Sequence, residues 1–257
     1  MTRTMLLWTV VLVAGSVLIW DRLARAQGRE AAPVLAAARE ALGGDRNLAV
    51  VKTFIASGRM RQIRGDNMVP IEFDIACELP DKYVRRDEFP AQDIAPVVNG
   101  FRGEETIGAS KTTREEFARL SLGVFAAATD AFPLTFTYAA EAEAPEGKAD
   151  VLAVSGPANF AARFLVQRET HMPVMLIWQA PAPTGRGGRG DTGAGRGTPQ
   201  PSVEHRQYFA DYRPVNGGVK WPFRIRHAVA GTTIEEMTFD RVNVNGKIDP
   251  KKFEALK

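Results

Sequence analysis

The 257-residue chain holds one cysteine, Cys77, and three histidines, His171, His205 and His227. A single thiol excludes an intramolecular disulfide. Cys77 alternates in phase with Ile71, Phe73 and Ile75, which predicts a buried, inert thiol rather than a nucleophile. None of the histidines has a His, Cys, Asp or Glu partner at a recognised metal spacing such as HExxH, and no GxSxG elbow is present. His227 runs in register with Trp221, Phe223 and Ile225, which reads as a core or rim residue. No pair of carboxylates is singled out for glycoside hydrolysis. The residues therefore imply no metal and no cofactor, and the chain is not expected to be an enzyme; the rival reading, an envelope hydrolase, would need a polar cluster inside the fold such as His227 near a carboxylate.

An excess of one charge is missing too. The net charge is +3 from 33 basic and 30 acidic residues. Setting aside the first 26 residues, with Arg3, Arg22 and Arg25 against Asp21, leaves 30 and 29, a net of +1. The pI of 9.1 thus marks no basic face, and nucleic acid is not an expected partner.

The only long apolar run is residues 5–20, after a short positive start. DRLARA follows, with Ala24 and Ala26 at the −3 and −1 positions of an A-x-A cleavage site. The run is shorter than the roughly 20 residues that span a bilayer. The expectation is an export signal, residues 1–26, cut after Ala26; the alternative is an uncleaved membrane anchor. No Cys follows the run, so no lipid anchor is expected. The mature chain, 27–257, reads as one domain in the periplasm.

Alternation dominates that domain. In VPIEFDIACEL (69–79) Val69, Ile71, Phe73, Ile75, Cys77 and Leu79 share one face, the period of a strand. A helix precedes it at 33–44, with Pro33 in its first turn and Gly43-Gly44 stopping it. TFIASGRMRQI (53–63), KYVRRDEF (82–89) and strand-like pieces around Asn99-Gly100, a dipeptide favoured in hairpin turns, extend an antiparallel meander. A helix at 111–132 interrupts once. Thr112 and Glu115, or Thr113 and Glu116, have capping-box spacing, and Phe117, Leu120 and Val124 line one side. Strands resume at 134–143, 148–156, 159–169, 173–180, 202–215, 218–229 and 233–245. Asn216-Gly217 is a turn, and Asp249 caps a last helix with Pro250 at its first position.

Residues 181–202, rich in Gly and Pro, read as a mobile insertion. GRGGRG (185–190) has no helix after it and is no phosphate loop. Arg189-Gly190-Asp191 is a three-residue string of the kind that arises by chance. VNVNGKID (242–249) begins one residue after Arg241, where a calcium loop needs an acid.

About ten strands without βαβ alternation predict one large antiparallel sheet, curved or partly closed, with helices on one face: a mainly β, α+β fold. Its oily face exceeds what two helices easily seal. Phe54, Met60, Ile71, Phe73, Ile75, Leu134, Phe136, Tyr138, Phe164, Trp178, Trp221 and Phe223 fall mostly on single strand faces and are the candidate lining of an apolar cavity.

A helix ending AREALGG, the strand VVKTFIASGRM and, near the end, QYFADYRPVNGGVKWPFRIRH and TFDRVNVNGKIDPKKF together resemble the periplasmic lipoprotein carriers, the LolA/LolB-like superfamily. The resemblance implies an unclosed β-barrel with helices as a lid over a hollow that accepts acyl chains of lipids or lipoproteins. It implies roles in carrying or sorting lipoproteins to the outer membrane, or in sensing them, with envelope membrane proteins as further partners. The carriers' lid-locking arginine has no motif-matched counterpart; Arg59 and Arg61 on the first strand are the positions to test. The insertion at 181–202 departs from the compact carrier pattern.

Overall fold

A computed structural model describes residues 30–65, 67–91, 94–182 and 201–254. The export signal and most of the Gly/Pro insertion lie outside the described residues. Helix α1 (Ala31–Ala41) ends at Gly43 and Gly44, both in the left-handed region, and a short α2 (Asp45–Ala49) follows. Strands β1 (Thr53–Arg64), β2 (Asn67–Glu78), β3 (Lys82–Glu88), β4 (Val97–Arg102) and β5 (Glu105–Ile107) form a meander. Helix α3 (Thr113–Phe125) breaks it. A second meander runs through β6 (Thr135–Ala144), β7 (Gly147–Ser155), β8 (Ala161–Gln167), β9 (Pro173–Pro181), β10 (Ser202–Pro214), β11 (Lys220–Val229) and β12 (Thr232–Val244).

All twelve strands belong to one antiparallel sheet, ordered β5-β4-β3-β2-β1-β12-β11-β10-β9-β8-β7-β6. The first and last strands pair in its middle, and the two middle segments of the chain, β5 and β6, form its edges. Those edges do not pair, so the curved sheet is an unclosed barrel. The link from β5 to β6 carries α3 across the concave side. A bulge between Ser57 and Gly58 in the β1–β12 ladder adds bend at the sheet's centre. Gly58 is required there, because a Cβ would lie 2.1 Å from the Thr238 carbonyl oxygen.

The alternation in β2 is realised: Ile71, Phe73, Ile75 and Cys77 are buried, with Pro70, Glu72 and Asp74 exposed between them. Ala76 breaks the rule from the outer face, where it packs with Val84 and Phe253 of the C-terminal turn. That turn, Pro250–Phe253, is a 3₁₀ turn, and the Asp249 side chain accepts a hydrogen bond from the Lys251 N–H.

Three local readings change. Asn99-Gly100 lies inside β4, not in a turn, and glycine is needed there because a Cβ would lie 2.3 Å from the Tyr83 carbonyl oxygen of β3. The hairpin turns at Gly103 instead, where φ is +53°. Helix α3 ends at Phe125, seven residues short of Phe132, with Ala126 in the left-handed conformation after it. No capping box forms: the Thr112 hydroxyl accepts from no backbone N–H of the first turn and instead donates to Glu116 Oε1 at 2.7 Å.

Ten of the thirteen α3 residues are buried. The helix is therefore seated inside the trough rather than resting on it. Gly123 permits this, since a Cβ there would lie 2.2 Å from the Phe209 ring of β10. The Tyr212 hydroxyl donates to the Gly123 carbonyl at 2.8 Å, fixing the same approach.

Candidate functional site: a hollow and a cleft beside one helix

The trough has two ends of different chemistry. At its floor, Phe54 meets Trp221 edge-on with centroids 4.9 Å apart, and Trp221 and Phe73 both meet Phe239. Of the twelve lining candidates, Phe54, Met60, Ile71, Phe73, Ile75, Phe164 and Trp221 are buried in this single core. Leu134, Phe136, Tyr138 and Phe223 are half-buried against it. Tyr138 also donates its hydroxyl to Asp150 at 3.1 Å. Ile75 and Trp178 reach the wall of an open hollow, and Met60 and Ile71 touch a groove on the rim of β1 and β2. Arg59 and Arg61 point to the outer face, paired with Asp240 and Glu236, and do not reach α3.

The hollow, about 320 Å³, lies between the first turns of α3 and strands β1, β2, β3, β11 and β12. Its lining is largely polar. Arg85 donates to Asp87 at 2.7 Å and to the Met60 sulfur at 2.9 Å. Burial alone lowers the Arg85 pKa, but Asp87 and Glu235 outweigh it and hold the guanidinium charged. Burial pushes the Glu235 carboxyl up against the opposing pull of Arg85, and Gln62 hydrogen-bonds it. Glu116 and Arg119 face the hollow from α3.

A cleft of about 830 Å³ opens on the other flank of α3, toward β8, β9 and β10. Its floor is more apolar, with Phe160, Ala162, Ile177 and Ala180. Glu116, Arg119, Trp178 and His227 line both spaces and form the partition between them.

That partition is a stack. Trp178 lies flat against His205 and His227, with centroids 5.3 and 5.2 Å away. Arg119, 8% exposed, sits 4.6 Å from the Trp178 ring centroid, a cation–π contact. His205 Nε2 lies 3.2 Å from the Pro181 carbonyl, which only accepts, so this nitrogen carries the proton. His205 Nδ1 then accepts from His227 Nε2 at 3.0 Å. His205 is thus held neutral, while His227 Nδ1 has no hydrogen-bond partner among the described residues. Burial, then the neighbouring imidazole and Arg119, lowers the His227 pKa to about 4, and burial lowers that of His205.

The charged members of the hollow carry a faint signature in the sequence. Arg85 and Asp87 are in phase with Tyr83, and Glu235 with Met237 and Phe239. A charge in phase with an apolar face marks a polar stretch of the inner wall. Nothing local distinguishes Arg119, which becomes a partition only when α3 docks.

The architecture has solved counterparts. A LolA superfamily protein from Nitrosomonas europaea superposes with a TM-score of 0.57 at 12% identity, over 88% of this chain and 98% of that one. The fold is LolA-like. A protein of a family of unknown function, DUF1329, from Desulfovibrio piger gives 0.51 at 8% identity over 86% and 96%. A putative outer-membrane lipoprotein-sorting domain from Vibrio parahaemolyticus gives 0.50 at 10% identity over 85% and 95%. No family model matches the sequence, and no curated protein matches it. The LolA-like fold accounts for the unclosed barrel and its inner helix. Among the described residues, no helix is long and apolar enough to cross a membrane, and no cluster of three or more His, Cys, Asp or Glu is placed to hold a metal.

Proposed function

We propose that this is an exported, non-enzymatic binding protein of the periplasm that takes up acyl chains of lipids or lipoproteins, in a carrier or sorting role. The leader, cut after Ala26, supplies the export. The observation that carries the reading is the pair of spaces flanking a helix seated in a barrel whose edges β5 and β6 do not pair. A barrel left open on one side can widen without breaking a strand ladder. The solved lipoprotein-sorting domain with the same architecture points the same way.

Magnitudes fix how the barrel opens. Each buried CH₂ contributes about 0.8 kcal/mol, so a long acyl chain supplies roughly 10 kcal/mol gross. Lifting α3 clear would expose Phe117, Leu120, Leu122, Val124 and Phe125, at roughly 1.5–3 kcal/mol each. The two sums are comparable. Complete displacement would consume the whole binding energy, so the chain enters along the flank of α3, where the cleft already is.

The deep seating of α3 also favours a second role in the same site. A helix that stays seated while cargo lodges beside it can report occupancy to a surface partner, which suits a regulatory module that senses lipid or lipoprotein at the envelope. An uncleaved anchor would favour the sensor, because a shuttle must diffuse.

Native mass spectrometry of protein purified from its own envelope tests the reading. Co-purified lipid or acylated peptide is expected. Protein that emerges bare, and stays bare when offered lipid, would contradict it. The mass of the mature N-terminus in the same spectrum separates the cleaved form from the anchored one.

A further inference from the structure

The partition between hollow and cleft has more donors than it uses. Arg119 carries five N–H donors. Among the described residues its ion-pair partner is Glu115, at 3.6 Å, longer than an ordinary charge-assisted hydrogen bond. Glu116 accepts from the Thr112 hydroxyl and supports the Arg119 charge from a distance. Arg163, across the cleft, is paired with Glu204 at 3.2 Å. The Arg119 guanidinium is buried, faces two open spaces, and rests on Trp178 instead of on a full set of acceptors. Leaving such a group short of acceptors is costly, and an incoming anion recovers that cost.

His227 stands beside it. Its Nε2 proton is committed to His205, which leaves Nδ1 as a lone pair with no hydrogen-bond partner among the described residues. Taking up a proton turns that nitrogen into a second donor. Neighbouring apolar surface is supplied by Phe160, Ala162, Ile177 and Ala180 on the cleft floor.

We propose that Arg119 and His227 form an anion-binding point that takes the carboxylate or phosphate head of an amphiphile, whose tail lies along the cleft floor. This rests on the acyl-binding reading above and names the head chemistry that reading leaves open. The anion replaces Glu115 as the acceptor of Arg119, and Glu115, about one-third exposed, turns out to solvent. Binding draws a proton onto His227, opposed by the neighbouring His205 and by Arg119, and assisted by Glu235, its cross-strand partner on β12, and by Glu115 and Glu116 of α3. Affinity for the anion therefore rises as pH falls from neutrality toward about 5.

Dodecanoate, dodecyl phosphate and dodecanol share a tail and differ at the head. Titrated against the full mature protein by tryptophan fluorescence, the two anions are expected to bind about tenfold tighter than the alcohol, the gain of a charge-assisted contact. Arg119→Gln should bring all three to the alcohol's affinity, while Arg119→Lys keeps part of the preference. Of the two anions, the tighter one identifies the head group, and inorganic phosphate alone should fail to compete if the tail is needed. Phosphate competing as well as dodecyl phosphate would overturn the amphiphile assignment. Equal binding of all three to the wild type would overturn the anion point and leave the acyl reading standing. Binding of none would end both. The wild-type comparison needs no variant, so a misfolded Arg119→Gln protein does not spare the proposal.

Discussion

Arg119 of α3 rests on the ring of Trp178, with its guanidinium carbon 4.6 Å from the ring centroid, and Trp178 in turn lies flat against two mutually hydrogen-bonded histidines. This contact ties the inner helix to three consecutive strands of the second meander. It also separates the polar hollow from the apolar cleft.

Acid should loosen this assembly. His205 and His227 are neutral in the fold with pKa values below their ordinary 6.5, that of His227 near 4. Groups with depressed folded values contribute stability above the unfolded pKa and lose it as pH falls toward the folded one. Melting temperature should hold above about pH 6.5 and drop steadily toward pH 4, with His227 accounting for about 3 kcal/mol. The variant His227→Gln, less stable at neutrality, should show a flatter profile across that window. A parallel profile would place the acid sensitivity elsewhere.

Gly123 is a steric key. Adding a methyl group puts it 2.2 Å from the ring of Phe209, a buried member of the core. Gly123→Ala should cost about 1–3 kcal/mol in denaturant unfolding, despite the better helix propensity of alanine. Shrinking the partner in Gly123→Ala/Phe209→Leu should recover part of the loss, whereas additive losses would show that the two positions do not meet.

Phe73 and Phe136 should behave differently. Phe73 is sealed against Phe239, so Phe73→Ala should cost about 3–5 kcal/mol and report on folding rather than on binding. Phe136, half-buried near the free edge of the barrel, should lose less than half as much. Similar losses at the two sites, measured by chemical unfolding, would contradict the division between a sealed floor and an open edge.

Cys77 should be silent. Burial raises its thiol pKa well above the ordinary value, with Glu78 adding to the shift. Alkylation by iodoacetamide should proceed only in denaturant. Rapid labelling of the native protein would mean that the core around β2 opens far more readily than its packing implies.

Much of the fold was legible because one face of each strand is water and the other is not. Ile71, Phe73, Ile75 and Cys77 declare β2 in this way, and Asn216-Gly217 and Asp249 declare their turn and cap. The edge was obscure because Gly100 serves packing against Tyr83 and not a turn, a distinction that depends on the neighbouring strand. The twelve apolar candidates were legible as an inner face, yet the same alternation describes a sealed floor and an open wall equally well. Whether such a face is filled depends on how deeply α3 sits, which Gly123 and Phe209 decide across 86 residues of chain. The charged wall escaped for a related reason: Arg85, Glu235 and Arg119 converge only through sheet register and helix docking.

The account stands most directly on where an acyl chain lodges. Of the two tryptophans that follow Ala26, Trp178 lines the cleft and Trp221 lies on the sealed floor. Titrating the protein with a fatty acid brominated along its tail should quench Trp178 saturably, and replacing Trp178 with phenylalanine should remove nearly all of that quenching. Absence of saturable quenching, or quenching that survives in Trp178→Phe, would place the chain elsewhere or nowhere in this barrel.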